Sequence, residues 1–326
     1  MFLLVLSIAS CVGAEEGQTY TFSRFAMDTV VEYTIIAPSQ DEARRAMMKA
    51  QEEIERVERL LWEGDSLSHI SAFNRARGRV EIPEEVDHFL RRAHEYYVIS
   101  NGAFDITIKP VLDLYDFDAD APAPPPDSVL RERLHLVGTD RIRFEHPATL
   151  EKPLTDAVEV AVGGVAKGYA VDRAVHVLKA QGIEHALVNA GGDLYCLGTN
   201  HGKPWAIGIR DPDDPSAIID VLHVSDRAVA TSGDYQRFFV YEGQRYHHLL
   251  HPKNGKPVRA TRSATVTAPT TEQADALATA VFIAGREKGI ALLDSLPGIE
   301  GMLIDSSGTV VTSQQFRTAA MQQPVP

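Results

Sequence analysis

The sequence predicts an α+β fold with mixed or antiparallel sheets flanked by helices, on three observations. Residues 40–62, 84–100, 163–182 and 272–295 carry helical patterns bounded by capping and stop residues. Residues 20–36, 205–209, 228–230 and 264–268 are short runs rich in Val, Ile, Thr and aromatic side chains, which read as strands. Runs at 238–241 and 244–250 flank Glu242-Gly243 and predict a hairpin.

The chain has 326 residues, enough for one large domain or two ordinary ones. Its net charge of −13 argues against a nucleic-acid partner, which would require a basic face. No apolar run beyond the N-terminus is long enough to span a bilayer. Residues 1–14 are read separately, as an export segment outside a domain running from 15 to 326. Phe2 to Ala9 is a short apolar core, and Ser10-Cys11 resembles a bacterial lipoprotein signal with the lipid on Cys11. Val12-Gly13-Ala14 is the alternative, an ordinary small-residue cleavage site, and a buried N-terminal strand is the bland reading. The second cysteine, Cys196, lies in an apolar strand pattern and reads as a small core residue.

In chain order, Ala26-Met27-Asp28-Thr29 separates two extended pieces. Ser39-Gln40-Asp41-Glu42 is a capping box, and Ala43, Met47, Ala50, Ile54, Val57 and Leu61 keep helical spacing behind it. The polar, short-sided stretch 65–74 reads as a loop that makes turns or lines a site. Pro83 opens a helix over 84–100 that Asn101-Gly102 closes. Residues 102–110 read as extended, 119–126 as a rigid proline-rich excursion, and 130–158 as short strands. Residues 231–235 read as a second small-residue loop, and Gly285 divides two C-terminal helices.

The most informative stretch is 158–193. Val158, Val160 and Val162 form an apolar run that meets Gly163-Gly164, and a helix then opens. At 100° per residue, Ala170, Val171, Ala174, Val177 and Leu178 share one stripe, with Asp172, Arg173, His176 and Lys179 opposite. Lys167 lies in line with the apolar stripe, one turn before it begins. A lysine there faces inward near a helix N-terminus, a place that favours an anion. The second glycine pair, in Asn189-Ala190-Gly191-Gly192-Asp193, completes what looks like a phosphate-handling cleft. The bland alternative gives the glycines to turns and lets Lys167 snorkel to water.

Residues 274–284 are apolar all round except for Asp275 and Thr279, which i, i+4 spacing puts on one face. A carboxylate so placed must be paired, protonated or bound to a cation. Carboxylate and hydroxyl are hard oxygen ligands suited to Mg²⁺ beside substrate phosphates. The alternative is an Asp that caps another segment's amides, with Thr279 bonding back to its own helix. His247 and His248 face opposite sides of an extended strand, so one of them at most enters a given site, as a general base. A zinc site from His248 and His251 lacks a supporting cysteine or helical His pair.

Taken in order, residues 163–169, 189–193, 231–235, His248 to Pro252 with Gly255, and 274–279 resemble the ApbE family of FAD:protein FMN transferases. Met27-Asp28-Thr29, residues 68–74 and residues 102–110 match the same pattern. The resemblance implies a two-lobed, T-fold-like architecture with an FAD cleft between the lobes. It implies an exported, Mg²⁺-dependent enzyme facing the periplasm that transfers the FMN half of FAD to a Thr or Ser hydroxyl and releases AMP. The implied acceptors are flavoprotein subunits of membrane redox complexes of Nqr or Rnf type. By position, Met27, His69, Ile70, Ser71, Asp105, Lys167 and Leu249 become FAD contacts. Gly164 (through its carbonyl), Asp275 and Thr279 become the metal ligands, and His248 the base.

The chain departs from the family pattern at Asp28, where Gly is usual, at Ala161, where Asp is common, and at His251, which replaces Asp before Pro252. Ala161 bears on one flavin contact, and His251 on the pKa of His248. Three rival readings remain: an FAD pyrophosphatase using water, a non-catalytic flavin-binding lipoprotein, and a generic solute-binding protein. The last leaves Asp275 and Thr279 unexplained.

Overall fold

The computed structural model describes residues 17–145, 148–154, 158–214 and 216–317. The export segment with Cys11 lies outside them. Strands β1 (Gln18–Ala26) and β2 (Thr29–Ala37) form an antiparallel hairpin. Its two turn residues, Met27 and Asp28, both have positive φ (54° and 57°). A two-residue turn of that hand matches strand twist, and Asp tolerates the left-handed region better than most residues. Helix α1 (Gln40–Leu61) is capped as expected, with the Glu42 N–H donating to Ser39 Oγ at 3.3 Å. Its apolar stripe is buried throughout.

The stretch read as a loop at 65–74 instead contains helix α2 (His69–Arg75). Ser68 starts it by accepting the Ser71 N–H at 3.0 Å, so the serine density marks a helix cap. After β3 (Arg79–Glu81) comes α3 (Glu84–Ile99), closed by Asn101 and Gly102 at φ 52° and 76°. Residues 102–110 are not extended. Asp105 nucleates a short 3₁₀ turn, Ile106–Ile108, which runs into α4 (Lys109–Leu112). Helix α5 (Asp127–Leu134) precedes β4 (Arg143–Glu145) and β5 (Thr149–Glu151), which form a small sheet in the order β3-β5-β4.

Helix α6 (Gly163–Ala180) is followed by β6 (His185–Ala190), β7 (Asp193–Leu197), β8 (Trp205–Arg210), β9 (Ile218–Val224) and β10 (Arg227–Gly233). Strand β9 had no clear sequence signal, and β10 takes in Thr231, Ser232 and Gly233, which read as loop. The hairpin β11 (Phe238–Tyr241) and β12 (Gln244–His247) forms as expected. Strand β13 (Thr261–Ala268), helix α7 (Thr271–Ser295), β14 (Glu300–Asp305) and β15 (Val310–Thr312) complete the fold. Gly285, at φ 75° and ψ −177°, breaks α7 where two helices were expected.

Eight strands build the main sheet in the order β1-β2-β6-β7-β10-β13-β14-β15. Every neighbouring pair is antiparallel, so the mixed option does not arise among the described residues. Helices α1, α6 and α7 cover one face. The alternation of β6 and β7 shows the division: Ala186, Val188, Ala190, Tyr195 and Leu197 enter the helical core, while Leu194 and Cys196 face Trp205, Ile209 and Leu222 of the β8–β9 ribbon. A smaller cluster of Val111, Tyr115, Leu130, Phe239 and Leu250 ties α4 and α5 to the β11–β12 hairpin.

Candidate active site

The site is built where three segments meet at the start of α6. Residues 158–162 lead into the helix, with Val158, Val160 and Val162 buried, but they join no sheet. Asn74 takes a partner strand's place: its amide donates to the Val160 carbonyl (3.0 Å), and its Oδ1 accepts the Val160 N–H (2.8 Å).

The glycines that follow have separate duties. A Cβ on Gly163 would meet nothing within 4 Å, whereas one on Gly168 would lie 2.4 Å from the Thr271 carbonyl oxygen. Gly168 therefore permits the close approach of α6 to α7. That approach brings Asp275 against α6, where its Oδ2 accepts the Gly168 N–H at 3.1 Å. One oxygen of Asp275 thus has a main-chain partner, as the capping alternative anticipated.

Lys167 does not snorkel away. Its Nζ lies 2.8 Å from Asp193 Oδ2 and 3.9 Å from Asp275 Oδ2, with the side chain 27% exposed, and it also donates to the Gly163 carbonyl. Burial disfavours its charge, but Asp193 and then Asp275 outweigh burial and hold the ammonium above the ordinary lysine range. Asp275 is pushed the other way. Burial and the Asp193 charge raise its carboxyl well above the usual carboxylate range, against Lys167 and the Gly168 amide.

Thr279, one turn on from Asp275, shares a 3.1 Å hydrogen bond with Ser232 Oγ rather than bonding back into its helix. A Cβ on Gly164 would lie 3.4 Å from Thr279 Oγ1, so that residue backs onto the same spot. The Gly168 N–H is the natural helical partner of the Gly164 carbonyl, and Asp275 draws on that donor. Carboxylate, hydroxyl and a carbonyl with lone-pair capacity to spare are hard donors, and they fit Mg²⁺.

His247 and His248 face opposite ways, as strand geometry requires. His247 is buried and fully engaged: its Nε2 lies 2.8 Å from the Val258 carbonyl, and its Nδ1 accepts the Leu249 N–H. His248 is half-buried, with Nδ1 3.2 Å from the Arg237 carbonyl. A carbonyl can only accept, so Nδ1 carries the proton and the Nε2 lone pair is left to act as base. Burial, reinforced by the nearby charges of His247, Lys167 and Arg237, pushes its pKa down to about 4, against the Arg237 carbonyl. His251 is not among the groups that act on it most strongly. Its Nδ1 instead accepts the Lys253 N–H at 3.2 Å, closing the turn as an Asp side chain would. That use of Nδ1 also counts against zinc, and among the described residues no three His, Cys, Asp or Glu side chains are grouped so as to hold a metal ion.

The remaining candidate contacts scatter in kind. Met27 sits in the β1–β2 turn, half-buried, its N–H held by Glu58 at 2.8 Å. His69 is exposed at the start of α2, and Ser71 Oγ donates to the Glu63 carbonyl. The side chains of Ile70 and Leu249 belong to the core, and the Leu249 N–H and carbonyl already pair with His247 Nδ1 and the Val258 N–H. Asp105 Oδ1 takes the Thr107 N–H and the hydroxyls of Thr107 and Thr139, a capping duty in this chain. Ala161 offers no side-chain donor, and its N–H goes to the Ile106 carbonyl. A cavity of about 650 Å³, lined by Arg92, Tyr169, Asp172 and Glu272, contains none of these residues. A second, of about 380 Å³, includes Ser71.

Two members of the cluster had been given no role. Asp193 pairs with Lys167, and the only signal was its place after the second glycine pair. Ser232 was hidden by reading 231–235 as loop; read as strand, period 2 puts it on the face of Ala228 and Ala230, toward α7.

The model of the ApbE family matches residues 27–303. An FAD:protein FMN transferase of Treponema pallidum (strain Nichols) is 28% identical over 323 residues, covering 92% of this chain and 88% of the relative. The crystal structure of the ApbE protein of Thermotoga maritima superposes with a TM-score of 0.84 at 31% identity, covering 91% of this chain and 97% of that one. The flavin transferase ApbE of Vibrio cholerae gives 0.83 at 27% identity, covering 92% and 98%. This chain belongs to the ApbE family.

Proposed function

We propose that the chain is an FAD:protein FMN transferase. It cleaves the pyrophosphate of FAD, moves the FMN half to a Ser or Thr hydroxyl of an acceptor protein, and releases AMP. One observation carries the reading: a half-buried lysine held by two buried carboxylates at a helix N-terminus, with the hydroxyl of Thr279 beside it and a neutral histidine within its electrostatic reach.

The residues divide the work simply. Lys167, held by Asp193, faces the phosphates and offsets the charge that builds on them. His248 Nε2 takes the proton from the acceptor hydroxyl. That oxygen forms the new bond to the FMN phosphorus as the bond from phosphorus to the bridging oxygen breaks, and AMP leaves with the bridging oxygen. Magnesium on Asp275, Thr279 and the Gly164 carbonyl would supply further positive charge to the pyrophosphate. Met27, His69, Ile70, Ser71, Asp105 and Leu249 are proposed around the rest of FAD.

The unit from 15 to 326 is proposed to work outside the cytoplasm, tethered through Cys11 and facing the periplasm. Its proposed acceptors are flavoprotein subunits of membrane redox complexes. The test is mass spectrometry of a candidate acceptor after incubation with the chain, FAD and Mg²⁺. The expected result is an adduct of FMN on Ser or Thr, with AMP released in equal amount. Free FMN formed at full rate without acceptor would replace this reading with the pyrophosphatase. Tight FAD binding without turnover would replace it with the flavin-binding lipoprotein.

A further inference from the structure

The β11–β12 hairpin lies immediately before His248, and its two edges differ. The outer edge of β12 is covered: Arg259 Nη1 donates to the Arg245 carbonyl, and His247 bonds the Val258 carbonyl. The outer edge of β11 has no strand beside it. The two-residue turn at Glu242-Gly243 makes Tyr241 and Gln244 a hydrogen-bonded pair, and the His248 N–H donates to the Arg237 carbonyl at the other end. Bonding alternates between them, so the N–H and C=O of Phe238 and Val240 point away from β12. Among the described residues they find no backbone partner.

The exposed side chains of that edge are apolar, and the stretch of chain that holds the hairpin is basic, with Arg245 over the Phe238 ring and Arg259 over the Tyr246 ring. Phe238, Val240 and Tyr241 are 39%, 59% and 37% exposed. From 237 to 262 the chain carries Arg237, Arg245, Lys253, Lys256, Arg259 and Arg262 against the single acid Glu242, although its net charge is −13. Arg237, Lys256 and Arg262 pair with Asp118, Asp127 and Asp213, whose carboxylates are exposed; such pairs are weak and open to exchange. Arg245 and Arg262 share Asp234. Neither Lys253 nor Arg259 has a carboxylate partner among the described residues.

We propose that the free edge of β11 is the dock for the acceptor protein, and that its occupant is an extended acidic segment adding a strand beside Phe238 and Val240. The inference rests on the transferase reading for its acceptor. Strand addition supplies main-chain affinity, the basic surround selects acidic neighbours, and the segment runs toward His248, which would receive the hydroxyl proton.

Binding and transfer are measured separately on the full chain. The probe is a labelled peptide with one Thr flanked by Asp and Glu, beside a counterpart with Lys in place of the acids. Val240→Pro removes an outward N–H without touching the bonds to β12. Lys253→Glu reverses one charge and leaves the edge intact. Each is expected to weaken binding of the acidic peptide about tenfold, the size of one good interface contact. FAD affinity stays that of the wild type, and the Lys253→Glu effect shrinks at high salt. Wild-type binding that ignores both substitutions, or that does not distinguish the two peptides, overturns the dock. Peptide binding with no FMN adduct on any acceptor sinks the transferase reading instead.

Discussion

The two halves of the candidate site are made differently. The α6–α7 junction is part of the core: Asp275, Asp193 and Gly168 are buried, and at Gly168 the two helices meet closer than any side chain would allow. The β11–β12 hairpin stands on a small cluster around Phe239 and leaves its outer strand open. A charge cluster that must hold a pyrophosphate gains from burial, because low dielectric strengthens its field. A surface that must admit another protein cannot be buried. Substitutions at the junction should therefore disturb chemistry and stability together, and those around the hairpin should separate them.

The largest separation is expected at His248. His248→Ala should lower kcat about 10²–10⁴-fold, the usual worth of a general base, while FAD affinity and melting temperature stay near wild type. Single-turnover transfer and calorimetry check the three quantities; an equal loss of FAD affinity would make His248 a binding residue.

At the junction, Asp275→Asn should cost about 10²–10³ in transfer. It should also raise the melting temperature of the metal-free chain at neutral pH. The raised native pKa of Asp275 means that its contribution to stability is present below the ordinary carboxylate pKa and lost as pH rises through the native value. Asn removes that loss. The same shift sets the acid limb of transfer: the lowered pKa of His248 keeps the base free to about pH 4, so protonation of Asp275 acts first. Protons and Mg²⁺ then compete, and the limb should move to lower pH as Mg²⁺ is raised. A limb indifferent to Mg²⁺ contradicts the assignment to Asp275, and one at ordinary histidine pH that persists unchanged in Asp275→Asn contradicts the lowered pKa of His248.

The same contrast governs what could be read from the sequence. Helix α7 was legible because two polar residues interrupt an otherwise apolar helix, and Lys167 because it breaks a helical stripe. Local turns were legible too, since Met27-Asp28 and Glu242-Gly243 need only their own backbone angles. The Lys167–Asp193 pair was not, because the ring closes across 26 residues of chain and no local pattern records it. Helix α2 was missed because Ser and Asn favour loops by the same side-chain bonds that make them caps. The segment 158–162 is a related case: its valines announce burial, but Asn74 rather than a strand satisfies Val160.

Within the Gly-rich motif the junction makes a sharper prediction. Gly168→Ala should destabilise the chain by about 1–3 kcal/mol, because the atoms it strikes are backbone of α7 and cannot turn aside. The gain in helix propensity, at most about 1 kcal/mol, does not offset it. Gly163→Ala meets only open space and should be neutral or slightly stabilising. Denaturant unfolding of the pair decides the point: equal effects would mean that the glycines serve chain flexibility rather than helix contact.

The smallest effect is expected at His251, beside the hairpin. Its Nδ1 accepts the Lys253 N–H, a duty that a carboxylate performs equally well. His251→Asp should therefore leave stability within about 0.5 kcal/mol, as for most surface substitutions. Because Lys167, His247 and Arg237 rather than His251 set the charge around His248, the acid limb of transfer should also stay where it is. The added negative charge stands at the edge of the basic surround, so the remaining consequence is a modest weakening of acidic-peptide binding that salt suppresses. A shifted limb with unchanged peptide binding would instead join His251 to the chemistry and erase the boundary between the two halves of the site.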